Sequence, residues 1–194
     1  SLDYLRLFNG KKCVVHTGSQ NKMPRNEAMN TCFKQMDKVL EYYYQNGYDG
    51  LYICPETMGK SQQIGSVDEV LDLCSRDKCL IPTFDFGHIN AVTQGSLKTI
   101  DDYRRILDKC FDKLGEFKTK NIHIHFSKIE YGDKGEIKHL TLDDTKYGPE
   151  FEPLAKLIYE YQLTPTIISE SKGTMMEDAL KLKQIYDSVK STEK

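Results

Sequence analysis

No stretch of the chain approaches the roughly 20 apolar residues that a membrane span requires, and the N-terminus lacks the basic-then-apolar layout of an export signal. No membrane partner is expected. The six cysteines, Cys13, Cys32, Cys54, Cys74, Cys79 and Cys110, contain no CxxC pair, and most fall within apolar periodic runs. They read as reduced core thiols, so the expected location is cytoplasmic. Charge of one sign is also missing: 27 basic against 29 acidic residues leave a net −2, and no global positive field advertises nucleic acid. No low-complexity run or linker interrupts the 194 residues, so residues 1–194 read as a single domain able to bury one core. The first residue is Ser, which points to a processed or truncated product.

What is present is a repeated strand-then-helix rhythm. Leu2 to Phe8 reads as the end of an amphipathic helix stopped by Asn9-Gly10. Cys13 to His16 is a short apolar strand broken by Thr17-Gly18-Ser19. Asn26 to Asn46 repeats apolar residues at helical spacing, and Gly47 ends it. Leu51 to Cys54 is the next strand, closed by Pro55-Glu56-Thr57. Ser66, with Glu69 three residues on, forms a capping box that opens a helix to Ser75. Leu80 to Phe84 is a strand, and Asp85-Phe86-Gly87-His88 marks its exit. Thr99 to Phe117 is a helix, and Asn121 to Lys128 a strand, because Ile122, Ile124 and Phe126 alternate with His123 and His125. Residues 127 to 148 read as a long functional loop carrying His139. A helix over Pro149 to Tyr161, a strand over Pro165 to Ser169 and a helix over Thr174 to Val189 close the chain.

Five consecutive strand-helix units imply a parallel sheet with helices outside. Length alone favours an open doubly wound sheet, since a (β/α)8 barrel takes about 250 residues. The ligand-type residues argue otherwise. All five histidines lie at or just beyond strand ends, and every strand exit delivers a donor: His16, then Glu56, then Asp85 and His88, then His123 and His125 with His139, then Glu170. Donors from many strands meet at one centre only in a barrel. The expected fold is therefore α/β, a (β/α)8 TIM barrel of which this chain supplies about the last five units.

Imidazoles mixed with carboxylates suit zinc, manganese or iron, and so many donors exceed the needs of one tetrahedral ion. Two or more ions point to in-line displacement at phosphorus. The segments Val15-His16-Thr17-Gly18-Ser19, Pro55-Glu56-Thr57-Met58-Gly59, Phe84-Asp85-Phe86-Gly87-His88, His123-Ile124-His125-Phe126-Ser127-Lys128 and Ile168-Ser169-Glu170-Ser171 resemble the endonuclease IV family. That family is the zinc-dependent abasic-site endonuclease branch of the xylose-isomerase-like TIM barrels. The resemblance implies that His16, Glu56, Asp85, His88, His123, His139 and Glu170 hold two or three zinc ions, with manganese or iron as alternatives. His125 is an added candidate, as ligand or as a donor behind one. Two positions depart from the family: Ile137 stands where it has a ligating Asp, with Glu136 beside it aimed elsewhere, and His125 replaces an Asn.

The leading expectation is hydrolysis of a phosphodiester in abasic DNA, with Glu170 and Glu56 as catalytic residues that bridge or orient the ions. Lys60, Lys128 and Lys172 are the expected substrate contacts, among loop cations that also include Lys22, Arg25, Lys134 and Lys138. Sugar isomerisation or epimerisation is the alternative, in which ions hold sugar oxygens while a carboxylate or His moves a proton. A metal-binding module without activity is the third. The 127–148 loop is expected to gate the site. A barrel lacking its first strands leaves open edges, so its partner is expected to be the missing N-terminal segment or another copy of the chain.

Overall fold

The computed structural model describes residues 1–192. Five strands run parallel: β1 (Lys12–Val15), β2 (Tyr52–Pro55), β3 (Thr83–Asp85), β4 (His123–Phe126) and, after an antiparallel hairpin of β5 (Lys128–Gly132) and β6 (Gly135–Leu140), β7 (Thr166–Ser169). Helices α1 (Leu2–Leu7), α2 (Arg25–Gln45), α3 (Val67–Cys74), α4 (Phe86–Val92), α5 (Ile100–Lys120), α6 (Glu152–Glu160) and α7 (Met175–Thr192) alternate with them. Strands β2 and β3 join through the parallel bridges Ile53↔Leu80 and Glu56↔Thr83, so the sheet is an arc ordered β1-β2-β3-β4-β7. Among the described residues, the outer edges of β1 and β7 pair with no strand.

The alternation in β4 sorts its two faces. Ile122, Ile124 and Phe126 are buried in one core cluster with Tyr103, Leu107 and Cys110 of α5 and Leu154 and Leu157 of α6. Each such side chain contributes about 1.5–3 kcal/mol by leaving water. A second cluster joins Met36 and Tyr43 of α2 to Ile53 of β2 and Val70 and Leu73 of α3. The helices therefore take the convex side, and His123 and His125 are left on the concave side. Across the floor of the arc, Lys12 Nζ donates 2.7 Å to the carbonyl of Asn121 and 3.3 Å to that of Ile122.

The expected capping box is formed: Ser66 Oγ accepts from Glu69 N–H, and Glu69 Oε2 accepts from Ser66 N–H at 2.9 Å. Two elements differ from the sequence reading. The strand exit after Asp85 is the helix α4, seven residues long, started by Asp85 Oδ1 accepting the His88 N–H at 2.8 Å. Its length and its internal Gly87 hide it from a periodicity argument.

The second correction concerns residues 127–148, which are not an irregular loop but mainly the β5–β6 hairpin. It is fastened at both ends. At the tip, Glu136 N–H donates 2.7 Å to the Gly59 carbonyl and Ser61 N–H 3.2 Å to the Lys134 carbonyl. At the base, Ile129 N–H donates 3.0 Å to the Gly148 carbonyl, and Leu142 N–H donates 2.8 Å to Asp178 Oδ2. The alternating charges from Glu130 to Lys138 disguise a pair of half-exposed strands as a loop.

Candidate metal centre

Parallel register brings the donors to one rim. Asp85 pairs with His125, Phe126 with Ser169, and Glu56 with Thr83, so residues just past each strand end converge on the concave side. Glu56, Asp85, His125 and Glu170 each offer a ligand atom within 4.8 Å of the others. His125 Nδ1 lies 2.8 Å from Glu56 Oε1 and 3.3 Å from Glu170 Oε1. The second oxygen of Glu56 faces His16 Nε2 at 3.1 Å. One carboxylate thus reaches two imidazoles on opposite sides.

Three carboxylates crowded round one imidazole form a site of negative charge. Burial works against the charged form of Glu56, yet the His125 hydrogen bond and the nearby His125, His88 and His16 hold its carboxyl below the ordinary value. Burial, with Asp85 and Glu56 alongside, pushes Glu170 up to about 7. Asp85 Oδ2 is buried and accepts no hydrogen bond. An orphaned carboxylate oxygen aimed at two further carboxylates fits a divalent cation, and the mixed oxygen-nitrogen donor set matches zinc, manganese or iron.

A second donor group lies alongside: His88, Glu136 and His139. His88 Nδ1 sits 2.9 Å from the Thr57 carbonyl, which only accepts, so that nitrogen carries a proton and the ring turns Nε2 toward Glu136. His139 Nδ1 is 2.8 Å from Ser127 Oγ. Both Nε2 atoms then face the Glu136 carboxylate, at 3.5 Å and 3.6 Å. Backbone and hydroxyl partners behind two imidazoles are the usual way a protein orients metal-binding histidines.

Glu136 is the residue that sequence reasoning misses. In the hairpin, Glu130 pairs with Lys138 and Tyr131 with Glu136, which leaves Ile137 opposite nothing. This β-bulge rotates the strand by one residue, so Glu136 and His139 share a face and Ile137 points outward, 59% exposed. Close approach makes it fit: a Cβ on Gly135 would overlap the Gly59 carbonyl oxygen, and one on Gly59 would come within 2.8 Å of His88 Cδ2. A bulge leaves no mark in a single sequence beyond that pair of glycines.

Among the other expected residues, His123 is corrected. It lies one register step below His125, outside both donor groups, because the period of 2 puts both on the concave face but only the second at the rim. Burial drives its imidazole down to about 4, helped by His125, and its Nδ1 has no hydrogen-bond partner. His125, expected as the least certain ligand, is the one of the two that joins the inner donor group. Lys128 is corrected too: it is buried, and its ammonium is committed to the Asp144 carbonyl and Glu150 Oε1, each at 2.7 Å, so it braces the hairpin base. Lys60 and Lys172 are exposed on the loops beside the rim.

Comparison with known proteins bears on the fold. The chain is 32% identical over 181 residues to the uncharacterized protein MJ0133 of Methanocaldococcus jannaschii, covering 93% of this chain and 64% of that protein. It therefore spans just under two thirds of that relative. Among solved structures, it matches a D-tagatose 3-epimerase-like protein with a TM-score of 0.70 and 22% identity, covering 98% of this chain and 66% of the other. It matches endonuclease IV from Thermus thermophilus with a TM-score of 0.65 and 17% identity, covering 98% and 65%. At such identities these two show the fold. A family model described as xylose isomerase-like TIM barrel matches residues 1–184, and the chain belongs to that family.

Proposed function

We propose that the protein is a metal-dependent phosphodiester hydrolase that acts on DNA at abasic sites. The observation that carries this reading is the second donor group, His88, Glu136 and His139, beside the first. A single-ion site has no use for it. Ions held by Glu56, Asp85, His125 and Glu170, and by His88, Glu136 and His139, would supply Lewis-acid polarisation of a phosphoryl oxygen and lower the pKa of water.

The chain's own groups do the rest. Glu56 sits between His125 and His16, so its carboxylate would help to hold an ion in the inner group while its second oxygen faces His16. Glu170 has its side chain 33% exposed against 2% for Glu56, so it is the inner carboxylate that meets an arriving substrate and orients water. Thr57 and Ser127 keep His88 and His139 turned toward the site. Closure of the open edges of β1 and β7 by further strands, from a preceding segment or a second copy, belongs to the same proposal.

A second reading is sugar epimerisation or isomerisation. Glu56, Asp85, His125 and Glu170 alone make a complete four-ligand site for one ion, and the solved structures of similar fold include a D-tagatose 3-epimerase-like protein and a 3-keto-D-glucoside 4-epimerase from E. coli. The deciding experiment measures metal stoichiometry in the full-length protein and assays it on a duplex with one abasic site and on small sugars. Two or three ions with strand cleavage support the hydrolase. One ion and turnover of a sugar alone replace it with the epimerase.

A further inference from the structure

The outer face of the hairpin and the turn after β7 enclose a cleft of about 370 Å³, within the size range of small-ligand sites. Its walls include Lys138, His139, Thr141, Asp143, Asp144 and Lys172. His139 is shared with the outer donor group, so a molecule whose reacting centre sits at the metals extends naturally into this space.

The charges of the wall are unequal in what they have left to offer. Lys138 Nζ is spent on Glu130 at 2.9 Å. Both oxygens of Asp143 accept from Lys181, at 2.7 and 2.8 Å. Asp144 Oδ1 turns back into its own turn, accepting from Lys146 N–H and Tyr147 N–H at 2.9 and 2.7 Å. Lys172 is exposed and has no ion pair or side-chain hydrogen bond among the described residues, and the Thr141 hydroxyl has none either. The same test separates the rim cations: Arg25 is held by Glu69, Lys128 by Glu150 and Lys138 by Glu130, whereas Lys172 is the uncommitted one that lines the His139 cleft.

The geometry points to an anion subsite in this cleft, in which Lys172, assisted by the Thr141 hydroxyl, holds a phosphate group of the substrate next to the one being cleaved. The subsite rests on the phosphodiester reading above and sharpens it: the substrate carries a second phosphate adjacent to the scissile one, as a nucleic acid strand does. Lys172 lines the cleft that His139 shares with the outer donor group, so it holds the substrate beside the donor groups without touching the reacting atoms.

The test titrates the full-length, metal-containing protein with inorganic phosphate by calorimetry. Lys172→Met weakens phosphate binding about three- to tenfold, the worth of one charge-assisted contact in water, and Lys172→Arg restores most of it. Lys138→Met, whose charge is already paired, changes it less than about twofold. On an abasic duplex, Lys172→Met raises KM with kcat unchanged and lowers the salt slope by about one contact. No measurable phosphate binding by the wild type, unchanged affinity in Lys172→Met, or equal weakening by Lys138→Met overturns the subsite. The two proposals fail separately. Cleavage of the duplex with Lys172→Met indistinguishable from wild type removes the subsite alone. A protein that turns over only sugars but loses phosphate affinity in Lys172→Met loses the hydrolase and the adjacent-phosphate assignment, and keeps only an anion site in the cleft.

Discussion

The two donor groups lie side by side yet are built by different means. Glu56, Asp85, His125 and Glu170 project from the ends of parallel strands, and Asp85 and His125 are fixed opposite each other by sheet register. His88, Glu136 and His139 come from a short helix and a hairpin, held by one bulge and by the fit of Gly135 against Gly59. The inner group is held by the hydrogen-bonded register of the parallel sheet itself. The outer one depends on a surface element staying fastened, so it is the place where metal affinity and stoichiometry respond to small changes.

This contrast is tested most severely from the inner side. Glu170→Gln keeps size and removes the charge, and is expected to depress turnover by about 10³-fold or more with an unchanged circular dichroism spectrum. A change in that spectrum would assign Glu170 to the fold instead. Glu136→Gln should lose one ion from the bound complement and about 10- to 100-fold in activity, as read by elemental analysis and kinetics. Ile137→Asp added to it should restore neither, because Ile137 points outward. Recovery by the Asp would show that the bulge is misplaced.

Gly135→Ala forces a Cβ into the Gly59 carbonyl at a backbone φ of 96°, so it should lower stability by about 1–3 kcal/mol in denaturant unfolding. In metal titrations it should weaken the outer ion and spare the inner one. The smallest effect lies away from both groups. Glu69 is held down to about 2: burial opposes the charged form, but Arg25 and the Gly65 and Ser66 N–H groups outweigh it. Since the folded pKa is depressed, this stabilisation is full above about pH 4.3 and is lost as pH falls toward 2. With Arg25 34% exposed, screening reduces it to about 1 kcal/mol. Glu69→Gln should therefore lower Tm at pH 7 and flatten its fall between pH 5 and 2, without altering metal content.

The inner group was legible in the sequence because strands announce themselves by period, and a residue just past a strand end in a barrel has one place to go. Glu56, Asp85 and Glu170 followed from that rule, whereas His16, read the same way, lies outside both donor groups and only faces Glu56. The choice between His123 and His125 did not, since both obey the same alternation and only the register of β4 against β3 says which reaches the rim. Glu136 was hidden further. Its direction is decided by an unopposed residue in a hairpin whose charged strands carry no apolar pattern. Lys128 looked like any loop cation until its partners Asp144 and Glu150 were in place.

The Lys12 ammonium that reaches the carbonyls of Asn121 and Ile122 works like a bowstring. It ties the first strand of the arc to the start of the fourth across the two between them. Lys12 opens β1 and His16 follows its last residue, so the strand anchored at the floor of the sheet is the one that carries His16 to within 3.1 Å of Glu56 at the rim.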